Sequence, residues 1–193
     1  MRPMRLALFA LSIVALAGCA SISRAPAGPL KVGASQVTLG RDWSDVSVMV
    51  PNRPKKVRVL SIDGPMLNRL YVSDALSPGD AIVRSPAKER RTPVIRADMS
   101  ATERMEFVAD SVSAMGYQRV ETSSPRPGAY GGRPAVVFDI SAKAEDGLDI
   151  AGRGLVALID GKTHVLIYVA PAEHYFAANL TEVEQVFASA QRR

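Results

Sequence analysis

The sequence predicts an α+β domain in which an antiparallel β-sheet of about five to seven strands is packed between helices, an α/β/α sandwich. Three observations carry this. Two stretches show helical periodicity with recognisable ends, one starting at Ser100 and one close to the C-terminus. Between them the pattern changes to period-two alternation and apolar runs separated by Asp-Gly turns. One run, Val165-Leu166-Ile167-Tyr168-Val169, leaves no polar face for solvent, so its strand must be covered on both sides.

From the N-terminus, Arg2 and Arg5 make a positive start before the apolar residues 6–16. That run has the length of a secretory leader's core and falls short of the ~20 residues a membrane-spanning helix needs. It ends in Leu16-Ala17-Gly18-Cys19, which resembles the bacterial lipobox, a small-residue cleavage site followed at once by cysteine. The resemblance implies that residues 1–18 are a lipoprotein signal peptide cut between Gly18 and Cys19. It also implies diacylglycerol on the Cys19 thiol and acylation of the new amino group, with label from palmitate expected there. By the sorting rule of Gram-negative lipoproteins, Ala20 in place of aspartate directs the product to the outer membrane, facing the periplasm. Two other readings of the leader are an ordinary secretory signal with an incidental cysteine and an uncleaved anchor. Cys19 is the chain's single cysteine, which favours the lipid, because an exported domain stapled by disulfides would carry an even set.

Residues 19–32 then read as the lipidated cysteine and a flexible tether, since Ala20 to Val32 is small, polar and proline-containing. The domain is expected over 33–193, a length that supports a single core. Charged residues make up 22% and the net charge is +5, mildly basic and no nucleic-acid signature. Residues 46–50, 57–62 and 66–72 read as strands, the last two joined near Asp63-Gly64-Pro65. Residues 77–93 form a proline-marked loop.

The first helix starts at Ser100, where Ser100-Ala101-Thr102-Glu103 has capping-box spacing. Met105, Val108, Val112 and Met115 then share a face, and Gly116 stops it. Residues 118–122 and 134–142 read as strands, the second with Val136, Phe138 and Ile140 on one side. Residues 155–159 and 163–170 form a hairpin around Asp160-Gly161, a pair suited to the two positive-φ positions of a tight turn. The second helix is expected to be capped by Asn179 or Thr181. Leu180, Val183, Val186, Phe187 and Ala190 form its stripe, and Arg192 and Arg193 stand at its negative end.

A helix, a meander of long strands, an Asp-Gly hairpin and an aromatic turn (His174-Tyr175-Phe176) leading into a terminal amphipathic helix resembles the PsbP-like α/β/α sandwich, over roughly residues 100–191. The resemblance rests on order and pattern. It implies a small non-catalytic domain, often an accessory or assembly factor, and transfers no functional residues.

No catalytic, cofactor or metal site is predicted. The two histidines, His164 in an apolar strand and His174 in the turn before the last helix, have no partner at metal-ligand spacing. G-x-S-x-G does not occur. Gly131-Gly132-Arg133 lacks the lysine and following helix of a phosphate loop and reads as a mobile loop between strands. Asp139, Asp146 and Asp149 are explained by turn chemistry and solvation, and Trp43 reads as a partly buried anchor.

The basic loops carry the functional colour. Arg53, Lys55, Lys56 and Arg58 form one cluster, and Lys88, Arg90, Arg91 and Arg96 another. Converging, they would meet anionic lipid head groups at ~1 kcal/mol per residue, or an acidic envelope protein; dispersed, they only keep the domain soluble. The expected role is therefore a lipid-anchored envelope protein of accessory or interaction type. Alternatives are a small-ligand or lipid-binding domain with a cleft between sheet and helix, and an envelope enzyme whose site is scattered through the sequence.

Overall fold

The computed structural model describes residues 22–51, 53–84 and 91–193. Gly18, Cys19, Ala20, Lys88 and Arg90 lie outside the described residues, and with them the expected leader and lipidation site.

Strands β1 (Ser23–Ala25), β4 (Trp43–Asp45), β5 (Val57–Ser61), β6 (Arg69–Ser73), β7 (Gln118–Tyr130), β8 (Arg133–Lys143), β9 (Asp149–Ile159) and β10 (Lys162–Pro171) form one sheet. Their order is β1-β4-β5-β6-β10-β9-β8-β7, antiparallel at every pairing. A second sheet, in the order β11-β3-β2, holds β2 (Gly28–Val32), β3 (Ser35–Leu39) and β11 (Gln191–Arg192). The helices are α1 (Ala101–Ala114) and α2 (Ala177–Ala188).

The expected sandwich is corrected in two respects. The main sheet has eight strands, not five to seven, and helices alone do not cover it. Eight strands at a spacing of about 4.8 Å span roughly 34 Å, while a helix is only about 10 Å wide. Each face therefore needs a second cover. On one face α1 shares the work with the coil that precedes it: Ile82, Val83, Ile95 and Met99 pack with Met105, Val108 and Val112 over Val59, Tyr71, Phe138 and Ile167. On the other, α2 lies beside the small sheet: Val37, Leu39, Val183 and Phe187 cover Leu70, Leu155, Leu166 and Tyr168.

The tether reading is also corrected over residues 23–32. Ser23–Ala25 pairs with β4, and Gly28–Val32 pairs with β3. Gly28, Leu30 and Val32 alternate inward, and Pro29 is tolerated because β2 is an edge strand. Residues 46–50 form no strand; Val46 closes one more backbone bond to Val59, and Ser47–Met49 then turns as a short 3-10 helix. Pro125 and Pro127 hid the length of β7 in the same way, for it runs on to Tyr130 at the other edge of the main sheet, through two register shifts. Gly131-Gly132 is not a mobile loop but the two-residue turn closing β7 onto β8, with Tyr130 opposite Arg133.

Ser100 caps α1 as expected: its hydroxyl accepts from the Glu103 amide, and the Glu103 carboxylate accepts from the Ser100 amide at 2.7 Å. The start of α2 differs. A wide turn over Ala172–Phe176 runs straight into it, so the helix begins before Asn179. Neither Asn179 nor Thr181 is a cap; Asn179 is buried and donates to Asp63 Oδ2 at 2.7 Å and to the Tyr175 carbonyl. Arg192 leaves the helix end for β11 and pairs with Asp160.

In the Asp160-Gly161 turn, φ is 49° and 72°, and Ile159 pairs with Lys162 across it. Asp160 is one of few non-glycine residues that hold this conformation, because its short polar side chain lessens the penalty. On β9 a different need selects Gly154, which lies opposite Phe138: a Cβ there would overlap the Phe138 ring. The missing side chain lets that ring lie flat on the sheet beneath α1.

Candidate functional site

Residues 79–84 and 92–94 form one wall of an open cleft of about 550 Å³, and the turn leading into β5 forms the other. Backbone bonds hold the coil in shape. The Gly79 amide donates to the Ile95 carbonyl, and the Ile95 amide donates to the Asp80 carbonyl, at 2.8 and 2.9 Å. Asp80 then ties the walls together. Its Oδ2 accepts from Lys56 Nζ at 2.5 Å and from the Ser77 amide at 2.7 Å. Burial alone would raise the Asp80 carboxyl, but those bonds and the charges of Lys56 and Lys162 outweigh it. Its pKa is held below the ordinary value.

The predicted basic residues divide into separate groups. Arg53, Lys55 and Lys56 line the cleft. Arg53 is occupied with its own loop, donating to the Ser47, Pro54 and Val57 carbonyls. Lys56 is held by Asp80. Lys55 is exposed and pairs with no carboxylate among the described residues. Arg58 does not join them. Strand alternation puts Val57 and Val59 on the α1 face and Arg58 on the opposite face, where it pairs with Asp45. Arg96 is bound to Glu103 at 2.6 Å, and Arg91 is exposed away from the lining. Arg84, which the sequence reading passed over, stands exposed on the cleft wall and is likewise unpaired among the described residues. Its signal was a place in the proline-marked loop, and only the fold brings it opposite Lys55.

The acidic residues Asp139, Asp146 and Asp149 form no carboxylate cluster. Asp139 pairs with Arg126 and Arg153, and Asp149 pairs with Lys143. Asp146 Oδ1 accepts from the Leu148 amide in a turn. Among the described residues no group of three or more His, Cys, Asp or Glu is placed to hold a metal. Trp43 is fully buried rather than partly so, and its indole donates to Glu182 at 3.2 Å.

His164 is 1% exposed, as its apolar strand implied. Its Nδ1 lies 3.0 Å from Ser35 Oγ, and the Tyr130 ring packs against its ring at 4.6 Å, tilted by 40°. Burial, opposed by the nearby Asp74, keeps its pKa below the ordinary 6.5. The unfolded chain therefore takes up this proton first. Stability should be level above about pH 6.5 and fall as the pH drops from there toward the lowered folded value. Urea midpoints measured over that range should slope less for His164→Gln than for wild type; equal slopes would contradict the assignment.

No family model matches the sequence, and no curated protein does. Solved structures do resemble the fold. A solution structure of cyanobacterial PsbP (CyanoP) from Synechocystis sp. PCC 6803 superposes with a TM-score of 0.52 at 15% identity, covering 95% of this chain and 99% of that one. A point mutant of the protein Mog1 superposes with a TM-score of 0.50 at 11% identity, covering 88% and 95%. At these identities the likeness establishes a PsbP-like fold and nothing about activity.

Proposed function

We propose that this chain is a lipid-anchored protein of the cell envelope, of non-catalytic accessory or interaction type, held at the outer membrane through Cys19. Its basic cleft takes an acidic surface of a partner protein. The observation that carries the reading is the division of labour among the cleft's charges. Lys56, Asp80 and Arg53 are spent on holding the cleft open, while Lys55 and Arg84 stand at its wall with no carboxylate among the described residues. Cations left unmatched on a shaped rim steer an acidic partner and fix its register. Among the described residues the cleft's one carboxylate, Asp80, is held ionised by a lysine, which suits a scaffold better than a proton-transferring group.

The test is crosslinking from the anchored full-length protein in cells, followed by mass spectrometry. Wild type should reproducibly capture one envelope protein with an acidic surface. The double reversal Lys55→Glu, Arg84→Glu should lower that recovery at least about tenfold, since like charges then face each other. Both positions are exposed, so the fold should survive. Equal recovery from both forms would refute the cleft's role.

A further inference from the structure

We propose that a neighbouring pocket, between the end of α1, β6 and the Ser47–Met49 turn and sharing Arg84 with the basic cleft, binds a small anionic amphiphile: an acid group bearing an apolar chain. The acid would sit against Tyr71, Arg69 and Arg84.

The pocket encloses about 190 Å³ and is walled by Val50, Val83, Ala114 and Met115. Tyr71 lies on its floor, 2% exposed, with a hydroxyl that has no hydrogen-bond partner. Arg69 stands beside that hydroxyl, where its charge and a marginal hydrogen-bonding contact partly offset burial. The contact falls short of full hydrogen-bond geometry and leaves the oxygen open to a better partner. Buried polar atoms are nearly always satisfied, so an open phenol oxygen on a cavity floor is a place for a ligand atom. Burial raises the phenol above its ordinary value, which keeps the proton available for donation.

The surroundings select charge. Arg69 Nε donates to the Pro65 carbonyl at 2.6 Å, which fixes the guanidinium, and no carboxylate among the described residues neutralises it. Arg84 adds a second cation at the rim, and apolar walls strengthen both. A carboxylate or phosphate group is matched there, and an ammonium group is repelled.

The apolar part of the ligand also has a path. A second hollow of about 270 Å³ shares Arg69 and Met115 with the first and continues over Leu67 and Leu148. Met49 and Met66, 51% and 81% exposed, stand at the lips of the two hollows. Exposed thioethers are flexible and adapt to varied chains. Glu145 and Asp146 rim the far end, so an acid head is driven toward Tyr71 and the chain lies away from it.

The test uses the full chain in phosphatidylcholine nanodiscs, titrated with hexanoate and hexyl phosphate and, as controls, hexylammonium and hexanol. Saturation-transfer NMR should show saturable binding of one or both acids. The pair separates a carboxylate preference from a phosphate one. Tyr71→Phe should weaken that binding roughly tenfold, the worth of a hydrogen bond to a charged group, while its thermal midpoint stays level or rises, because an unpaired hydroxyl has gone. Arg84→Gln, at an exposed position, should weaken binding a few-fold. The proposal is overturned by three results: no saturable binding of either acid, equal binding of hexylammonium or hexanol, or unchanged acid binding by both variants.

Discussion

Gly154→Val is expected to destabilise the fold by about 3 kcal/mol or more, and Phe138→Ala by about 3–5 kcal/mol. The two residues are one structural unit. Phe138 is completely buried and lies opposite Gly154 across the β8–β9 pairing, where an added Cβ would overlap ring atoms Cζ and Cε2. Neither side can give way. Strand β9 is paired on both edges, to β8 and to β10, so its backbone is fixed, and the ring is pressed from above by the α1 layer. Valine would force an off-rotamer ring or a broken ladder, and alanine at 138 would leave a cavity under the helix. The changes should also be coupled. Gly154→Ala in a Phe138→Leu background should cost less than it does alone, because the smaller side chain vacates the space the methyl needs. Urea denaturation of the four proteins checks this. A Gly154→Val midpoint equal to wild type would mean that the ring does not lie where it is placed.

How much of this was legible depends on where the physical signal lay. The Ser100 box, the Asp160-Gly161 hairpin and the burial of His164 were readable because each is a local rule: a cap geometry, a pair of positive φ values, a period of two. Two of the errors come from proline. Pro29 and Pro127 suggested tether and loop, yet both belong to edge strands, where a missing amide faces no neighbour. Proline content reports the loss of one donor and cannot say whether that donor was needed. Asn179 failed as a cap because its partner is Asp63, far away in sequence. The site was half legible for the same reason. Basic clusters are visible in a sequence, but only the fold separates Lys55, which faces open space, from Arg58, which strand alternation sends to the other face of the sheet. Arg84 showed only its place in a proline-marked loop, and the open Tyr71 hydroxyl carried no local signal at all.

Cys19→Ser is expected to have the largest effect on where the protein resides. One acyl chain holds a protein only marginally, whereas two or more give stable anchoring, each buried CH₂ contributing about 0.8 kcal/mol. Wild type should sediment entirely with membranes and resist high salt. Among the described residues no helix is long and apolar enough to cross a bilayer in its place. The serine variant offers no thiol to the lipid donor, so it should stay as unprocessed precursor. The decisive measurement is metabolic labelling with radioactive palmitate, followed by immunoprecipitation of wild type and Cys19→Ser. A labelled, shortened wild type beside an unlabelled, full-length variant is the predicted result; label and normal maturation in the variant would contradict the anchor and the envelope function built on it.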